Sequence, residues 1–518
     1  MTPPDPGGPC RTPALRASRR LAGVAVVLGL TIAAISSTGS AAAPGATAPG
    51  GPVVSPVTRT GAYLTDDEGR VVIFHGVNII RKTAPYWPST ITKTDARLLA
   101  NEGFNSARIG WIWSAAEPSP GTYDEAYLPK LMRLNTLLGR YGIRTLVDVH
   151  QDSYSAKDGG DGAPRWATPS TTSAISWKAF WNNRKASDGV GIQSRFVQLW
   201  GELARVIDGS ARAANVIGID PLNEPNPGIH YPNCGLDPCP AFESGPLARF
   251  YRKVIASVRA AGATQVIWPE SGPQHLGYKP ALPPFSDPQT AYSWHYYCLQ
   301  SELSATSSAS IEHTCDPLTR KAMAHESAYG ARLGVPEWVG EFGANGANAE
   351  YAKQVDAMGA HFLDWTYWDY DNPPKDPSDF PAGGILKHAN APGSQANANQ
   401  AKLTALVVPY PQAIAGTPTS YAYHRTSDVM ALRYRTEAVP GATLTPGALT
   451  QIFVPRRHYP HGYRVTVSGA TVVSGVHSPW LLLLANSGAS KVSVTVSPRA
   501  HSHTLLPSQT GRVPVPTA

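Results

Sequence analysis

Charged residues are scarce in this chain: Asp, Glu, Lys and Arg make up 16% of its 518 residues, and no dense Lys/Arg stripe occurs. That scarcity excludes the electrostatic footprint of a nucleic-acid binder. The formal net charge is +7, and residues 1 to 50 hold Arg11, Arg16, Arg19 and Arg20 against Asp5 alone, so +3 sits there and +4 over the rest. No segment reaches the roughly 20 apolar residues that a membrane-spanning helix needs. No Gly-rich phosphate turn follows the first strand, which argues against a doubly wound nucleotide fold. No His-x-x-x-His pair is present, and the histidines stand singly, so no catalytic metal and no cofactor is expected. What is plentiful is apolar and aromatic: 42% hydrophobic residues, 13 Trp and 22 Tyr, with 47 Gly and 48 Pro. Such a composition supports a large folded core in one or two domains and excludes a disordered or collagen-like chain.

The N-terminus has the layout of a secretory signal peptide: a basic segment at Arg16 to Arg20, an apolar run at Leu21 to Ile35, and small residues at Ala41-Ala42-Ala43. An uncleaved anchor is the competing reading; a secreted, extracellular protein with the signal removed is the expectation. Four cysteines would then remain, Cys234, Cys239, Cys298 and Cys315, in an oxidising compartment. Of the three pairings, Cys234 with Cys239 and Cys298 with Cys315 each close a short loop; a zinc site is the alternative.

From Val71 to Tyr410 short apolar runs alternate with segments of helical period, such as 124–141, 192–207, 247–261, 320–333 and 349–362. The eight strand candidates are 71–78, 106–112, 143–150, 216–223, 265–269, 291–297, 337–341 and 363–368. Eight β/α cycles predict an α/β fold, a (β/α)8 TIM barrel. After Ala415 the pattern changes to short strands punctuated by Gly, Pro, Asn and Ser, which predicts a C-terminal antiparallel β-sandwich domain. The expected division is a signal peptide at 1–43, a flexible leader at 44–56, the barrel at 57–415, the sandwich at 416–497 and a flexible tail at 498–518. The longest interruption, 152–190, follows the third strand and carries Tyr154, Trp166, Trp177 and Trp181. Loops after barrel strands build the active-site face, so its aromatic side chains are expected to be exposed and to meet substrate.

Catalytic groups of a barrel project from strand C-terminal ends. The fourth strand ends Asp220-Pro221-Leu222-Asn223-Glu224-Pro225 and the seventh Val339-Gly340-Glu341-Phe342-Gly343. Two carboxylates facing each other across one barrel mouth are the equipment for glycoside hydrolysis. A general acid there needs an apolar setting and a nearby negative charge, and a nucleophile needs donors and a cation. Arg108, at the end of the second strand, is placed to be that cation.

This arrangement resembles the retaining hydrolases of glycoside hydrolase family 5, over roughly residues 60 to 410. The resemblance implies Glu224 as acid/base, Glu341 as nucleophile and a separation of about 5 to 5.5 Å between their carboxyl groups. It further implies that Arg108, His150, Asn223, His295 and Tyr297 orient sugar and nucleophile. It makes Trp368, in Trp365-Thr366-Tyr367-Trp368-Asp369-Tyr370, the platform under the reacting sugar, although register leaves open which of Trp365 and Trp368 belongs to the core. The stretches His75 to Pro88 and Asp148 to Asp152, with the barrel-plus-sandwich layout, look like endoglycoceramidases, which cleave oligosaccharide from ceramide. In that likeness Lys82 and Asp152 bind sugar and Trp181 adds an aromatic contact. Arg81, where an apolar residue is expected, and the loop Cys234 to Pro240 depart from the pattern. The expected partner is a glycosphingolipid or a β-glycan, bound by a monomer with transient contact to a membrane or micelle surface. An endo-β-1,4-glucanase or other family 5 β-glycan hydrolase is the alternative, and a non-catalytic glycan-binding protein a further one.

Overall fold

The computed structural model describes residues 55–230, 239–272, 280–298, 309–343, 347–371, 383–475 and 478–499. The expected signal segment, nearly all of the leader and nearly all of the tail lie outside them, as does Cys234.

Eight parallel strands run in the order His75–Ile79, Ser106–Ile112, Arg144–His150, Val216–Asp220, Val266–Ile267, Tyr292–Tyr296, Glu337–Phe342 and Asp364–Tyr367, called barrel strands 1 to 8 below. Strands 5-4-3-2-1-8-7-6 pair in sequence, and the parallel bridges Ile267↔Thr290 and Glu270↔Ser293 join strand 5 to strand 6, closing the barrel. Strand 2, Ser-Ala-Arg-Ile-Gly-Trp-Ile, is buried at all seven positions, because the barrel interior covers one face and helices the other. Helix 192–208 shows the outer ring: Ile192, Phe196, Leu199, Trp200, Leu203, Ala204 and Ile207 fall at intervals of three and four, forming one buried stripe against the strands. Helix 93–101 starts with a capping box between Thr92 and Asp95. Among the described residues, no helix is long and apolar enough to cross a membrane.

The C-terminal region is a sandwich of two antiparallel sheets. One has four strands, Thr417–His424, Val429–Arg435, Lys491–Pro498 and Tyr463–Ser468, in that spatial order. The other has seven, and its membership departs from the expected division. Thr58–Thr60, Tyr63–Thr65 and Val71–Val72 lead into Tyr410–Ile414, which is followed in the sheet by Leu449–Phe453, Trp480–Ala485 and Ala470–Val472. The expected strand 71–78 is thus two elements. Val71 and Val72 pair antiparallel with Ile414 and Ala413, and only from His75 does the chain enter the barrel. The ion pairs Arg425–Asp356 at 2.8 Å and Arg457–Glu102 at 3.1 Å tie the sandwich to the barrel's helical layer.

Cys298 and Cys315 form the expected disulfide. Cys239 is also disulfide-bonded.

Candidate active site

Arg108 lies at the centre, wholly buried in the interior of strand 2. A buried guanidinium needs its donors matched, and here every neighbouring strand supplies an acceptor. Its Nη1 reaches Glu341 Oε1 at 2.8 Å on strand 7 and Asn78 Oδ1 at 3.2 Å on strand 1. Its Nη2 reaches Asp148 Oδ2 at 2.8 Å on strand 3, Asp220 Oδ2 at 2.9 Å on strand 4, and Asn223 Oδ1 at 2.9 Å. The carboxylates hold the guanidinium's pKa well up, although burial opposes its charge. Burial in turn pushes Asp220 up to about 6 against the pull of Arg108.

Glu341 is 5% exposed, and its second oxygen accepts a 2.7 Å hydrogen bond from the Tyr297 hydroxyl. A cation on one oxygen and a hydroxyl on the other fix the carboxylate's orientation. Gly340 must be a glycine for this packing, since a Cβ there would lie 2.8 Å from His295 Nε2.

Glu224 occupies a left-handed backbone conformation, φ +41°, which costs a non-glycine residue energy and persists only where neighbours enforce it. Gln151 does so by donating to the carbonyls of Asn223 at 2.8 Å and Glu224 at 3.2 Å, while Asn223 Nδ2 donates to the Gln151 carbonyl at 2.9 Å. The Glu224 N–H points at the buried carboxylate of Glu270, with both oxygens at 3.2 and 3.3 Å. The Glu224 side chain meets His295 Nδ1 at 2.9 Å, and the same nitrogen is 3.6 Å from Glu341. A carboxylate oxygen of each glutamate and a ring nitrogen of His295 lie within 4.8 Å of one another. Burial pushes the His295 imidazole down to about 3, so the ring is neutral at ordinary pH.

A second cluster adjoins the first. His150 stacks on Trp368 at a centroid distance of 5.3 Å, and Lys82 Nζ sits 4.3 Å over the same indole while pairing with Asp152 at 2.7 Å. His150 Nδ1 is 3.0 Å from Asp148. Burial works against a charged ring, but the hydrogen bond and charge of Asp148, joined by Asp152, raise His150 to about 9. Burial also opposes ionisation of Asp152, yet Lys82 and His150 hold it well below the usual carboxylate range. The question of register is settled by packing: Trp365 is fully buried against His75 and Phe342, whereas Trp368 faces the site.

The structure brings together Lys82, Arg108, His150, Asp152, Asn223, Glu224, His295, Tyr297, Glu341 and Trp368. Trp181 is half-buried beside the loop that follows Glu224. Its indole N–H donates to the Asn226 carbonyl at 2.7 Å, and its ring packs on Trp177, Phe180, Phe242 and Phe250. The reason is general to the 152–190 insertion: Tyr154, Trp177 and Phe180 are buried on one another. The insertion's buried aromatic residues therefore join the main core and steady the loop after Glu224. Asp148, Gln151, Asp220 and Glu270 were not expected at the site. Asp148 and Asp220 carry the signal of a charge inside an apolar strand, and Glu270 that of a carboxylate where a strand ends.

Among the described residues, two triads have metal-ligand spacing, Asp220–Glu270–His295 and Glu224–His295–Glu341. In each, Arg108 already lies against one carboxylate and takes the cationic place.

Residues 65–373 match the profile of the cellulase family, glycosyl hydrolase family 5, and residues 409–497 match the glycoside hydrolase family 5 C-terminal domain. Endoglycoceramidase I of Rhodococcus hoagii is 30% identical over 473 residues, covering 86% of this chain and 88% of that protein. Endo-glycoceramidase II from Rhodococcus sp., solved with ganglioside GM3, superposes with a TM-score of 0.68 at 26% identity over 85% of this chain and 100% of that one. The same enzyme has been captured as a lactosyl-enzyme intermediate, with a TM-score of 0.66 and 26% identity at the same coverage. The chain belongs to glycoside hydrolase family 5 and is a retaining glycoside hydrolase.

Proposed function

We propose that this enzyme hydrolyses the bond between oligosaccharide and ceramide in glycosphingolipids, with Glu341 as nucleophile and Glu224 as acid/base. The observation that carries the roles is the pair of carboxylates within 4.8 Å, one of them held by Arg108 and Tyr297. Such closeness suits a retaining pair, in which the carboxylate attacks directly and a covalent glycosyl-enzyme forms. Glu224 delivers its proton to the departing ceramide oxygen as the Glu341 bond forms. It then takes a proton from water as that water attacks the anomeric carbon and frees Glu341. Asn223 is fixed by Arg108 and Gln151 where it can hold the sugar 2-hydroxyl, a contact that tightens as the ring gains oxocarbenium character.

The substrate class rests on likeness to the Rhodococcus enzymes across most of the chain and on the character of the two sides of the site. Lys82, Asp152, His150 and Trp368 make a charged, aromatic sugar side. Ile175, on helix 173–181 of the insertion after strand 3, and Ile229, on the loop after strand 4, are 43% and 44% exposed and offer apolar ground for a lipid. Export accords with the Cys298–Cys315 disulfide, and both carboxylates coming from one chain accords with a monomer.

The test is product analysis with purified protein on detergent-dispersed lactosylceramide and ganglioside, beside carboxymethylcellulose and mannan. Intact oligosaccharide plus ceramide, lost in Glu224→Gln and Glu341→Gln, is the expected result. Release from the polysaccharides alone would leave a β-glycanase, which the cellulase-family profile also accommodates.

A further inference from the structure

Glu270 stands just beyond the two-residue strand 5, 1% exposed. Its carboxyl group faces the N–H of Glu224 on one side and His295 Nε2, 3.6 Å away, on the other. The opposite ring nitrogen, Nδ1, is 2.9 Å from Glu224 Oε1. One imidazole therefore lies between two carboxyl groups, hydrogen-bonded to Glu224 and facing Glu270 with a buried Nε2 that makes no hydrogen bond, and a neutral imidazole has one proton to offer between its two nitrogens. The other groups turned towards Glu270 are Asp220 from strand 4, Arg108 from strand 2 and Glu341 from strand 7. From helix 248–260 comes Tyr251, whose hydroxyl donates to the Glu270 carbonyl at 2.6 Å and accepts its N–H at 3.1 Å.

We propose that Glu270 is a positioning residue that sets the protonation of Glu224 through His295, so that one proton is shared by the two carboxyl groups. In one arrangement Glu270 is the acid, its O–H directed at Nε2 once the 3.6 Å gap between them shortens by about half an ångström to hydrogen-bond distance, and Nδ1–H donates to ionised Glu224. In the other, the Glu270 O–H bond has broken as an N–H bond formed at Nε2, and the Nδ1–H bond has broken as an O–H bond formed on Glu224. The proton count is unchanged and no imidazolium is needed. Only the second arrangement arms Glu224 for its acid step. Burial supports a proton on Glu270, pushing it well up, with Asp220, Glu224 and Glu341 adding to the effect and Arg108 opposing it. Titration of such a unit belongs to the pair and not to either residue.

Glu270→Gln separates this role from mere support. The amide oxygen still accepts the Glu224 N–H, and the amide NH2 then faces Nε2. That fixes the proton on Nδ1, directed at Glu224, and holds Glu224 in its ionised form. The inference rests on Glu224 being the acid/base, so Glu224→Gln is run alongside: if that variant keeps its activity on lactosylceramide, the assignment of Glu224 has failed, whatever Glu270 does. The experiment measures kcat/KM against pH on lactosylceramide and on a dinitrophenyl β-lactoside, whose leaving group needs no proton. For Glu270→Gln the basic limb on lactosylceramide is expected to move down by about one pH unit, a roughly tenfold loss above it, while the aryl lactoside is cleaved as by the parent. Glu270→Asp, which keeps a titratable carboxyl, should show a smaller shift in the same direction and serves if the Gln variant does not fold. An unmoved basic limb in both variants, or equal losses on both substrates, would overturn the proposal and leave Glu270 as a structural support for the Glu224 turn.

Discussion

Removing the Arg81 side chain should harm the enzyme twice, and the two effects can be measured separately. Arg81 is 7% exposed and meets Asp371, 1% exposed, through both guanidinium nitrogens, with Nη1 to Oδ1 at 3.0 Å. The same nitrogens reach the Ile80 carbonyl and Thr90 Oγ1, each at 3.1 Å. Arg81→Met leaves a buried carboxylate without its cation, a change that costs about 3 to 5 kcal/mol. Replacing both partners, as Arg81→Met with Asp371→Leu, leaves no buried charge and should recover most of that loss. The coupling in the double-mutant cycle should then be about 2 to 3 kcal/mol, far above the few tenths of independent sites. The pair also fastens the strand 1 loop to the strand 8 loop, and the next residue, Lys82, must sit over Trp368 and against Asp152. Freed, Lys82 loses a charge-assisted contact worth about 1.5 to 3 kcal/mol, so KM for lactosylceramide should rise at least about tenfold with kcat less affected. Guanidinium chloride unfolding by tryptophan fluorescence gives the first quantity and initial rates the second. Additive single-variant losses, or lost stability with an unchanged KM, would refute the reasoning.

Three further outcomes follow from the geometry. His150 has a folded pKa of about 9 against about 6.5 unfolded, so its pairing contributes fully below pH 6.5 and is lost as pH rises through 9. Thermal scans of parent and His150→Gln from pH 6 to 10 should converge by roughly 3 kcal/mol, and parallel curves would contradict the pairing. Replacing Cys298 and Cys315 by Ala opens a loop of sequence separation 17 and should lower unfolding stability by about 3 kcal/mol, read as a shifted denaturation midpoint. An isolated fragment of residues 409–499 should stay unfolded by circular dichroism until residues 55–74 are linked to it, because three strands of its larger sheet come from that segment.

Much of the barrel was legible because each strand is a short apolar run ending in a reactive side chain, as in Asn223-Glu224 and Gly340-Glu341. That signal is local, and it placed both glutamates, Arg108, His150 and His295 at one mouth. What escaped the sequence is non-local or contextual. Nothing near Thr58 or Val71 announces a partner at Tyr410, so those strands read as the start of the barrel. Trp181 has the composition of a sugar platform, and only the neighbouring Trp177, Phe242 and Phe250 show that one side of its ring packs against the core. Glu270 directly follows the expected strand 265–269, but its worth lies in what faces it across the barrel, which no local pattern shows.

The larger sandwich sheet imposes an order on how this protein is made. Thr58 to Val72 leave the ribosome early, yet the strand that Val71 and Val72 pair with begins at Tyr410. At the usual pace of about 5 to 20 residues per second, these edges wait roughly twenty to seventy seconds for partners. During that time the whole barrel emerges while its first strand is tethered to an unfinished sheet. The three waiting strands are only two or three residues each, the kind of edge that recruits other chains poorly. Arrival of Tyr410–Ile414 then closes the chain on itself, so that a strand made after the whole barrel secures those made before it.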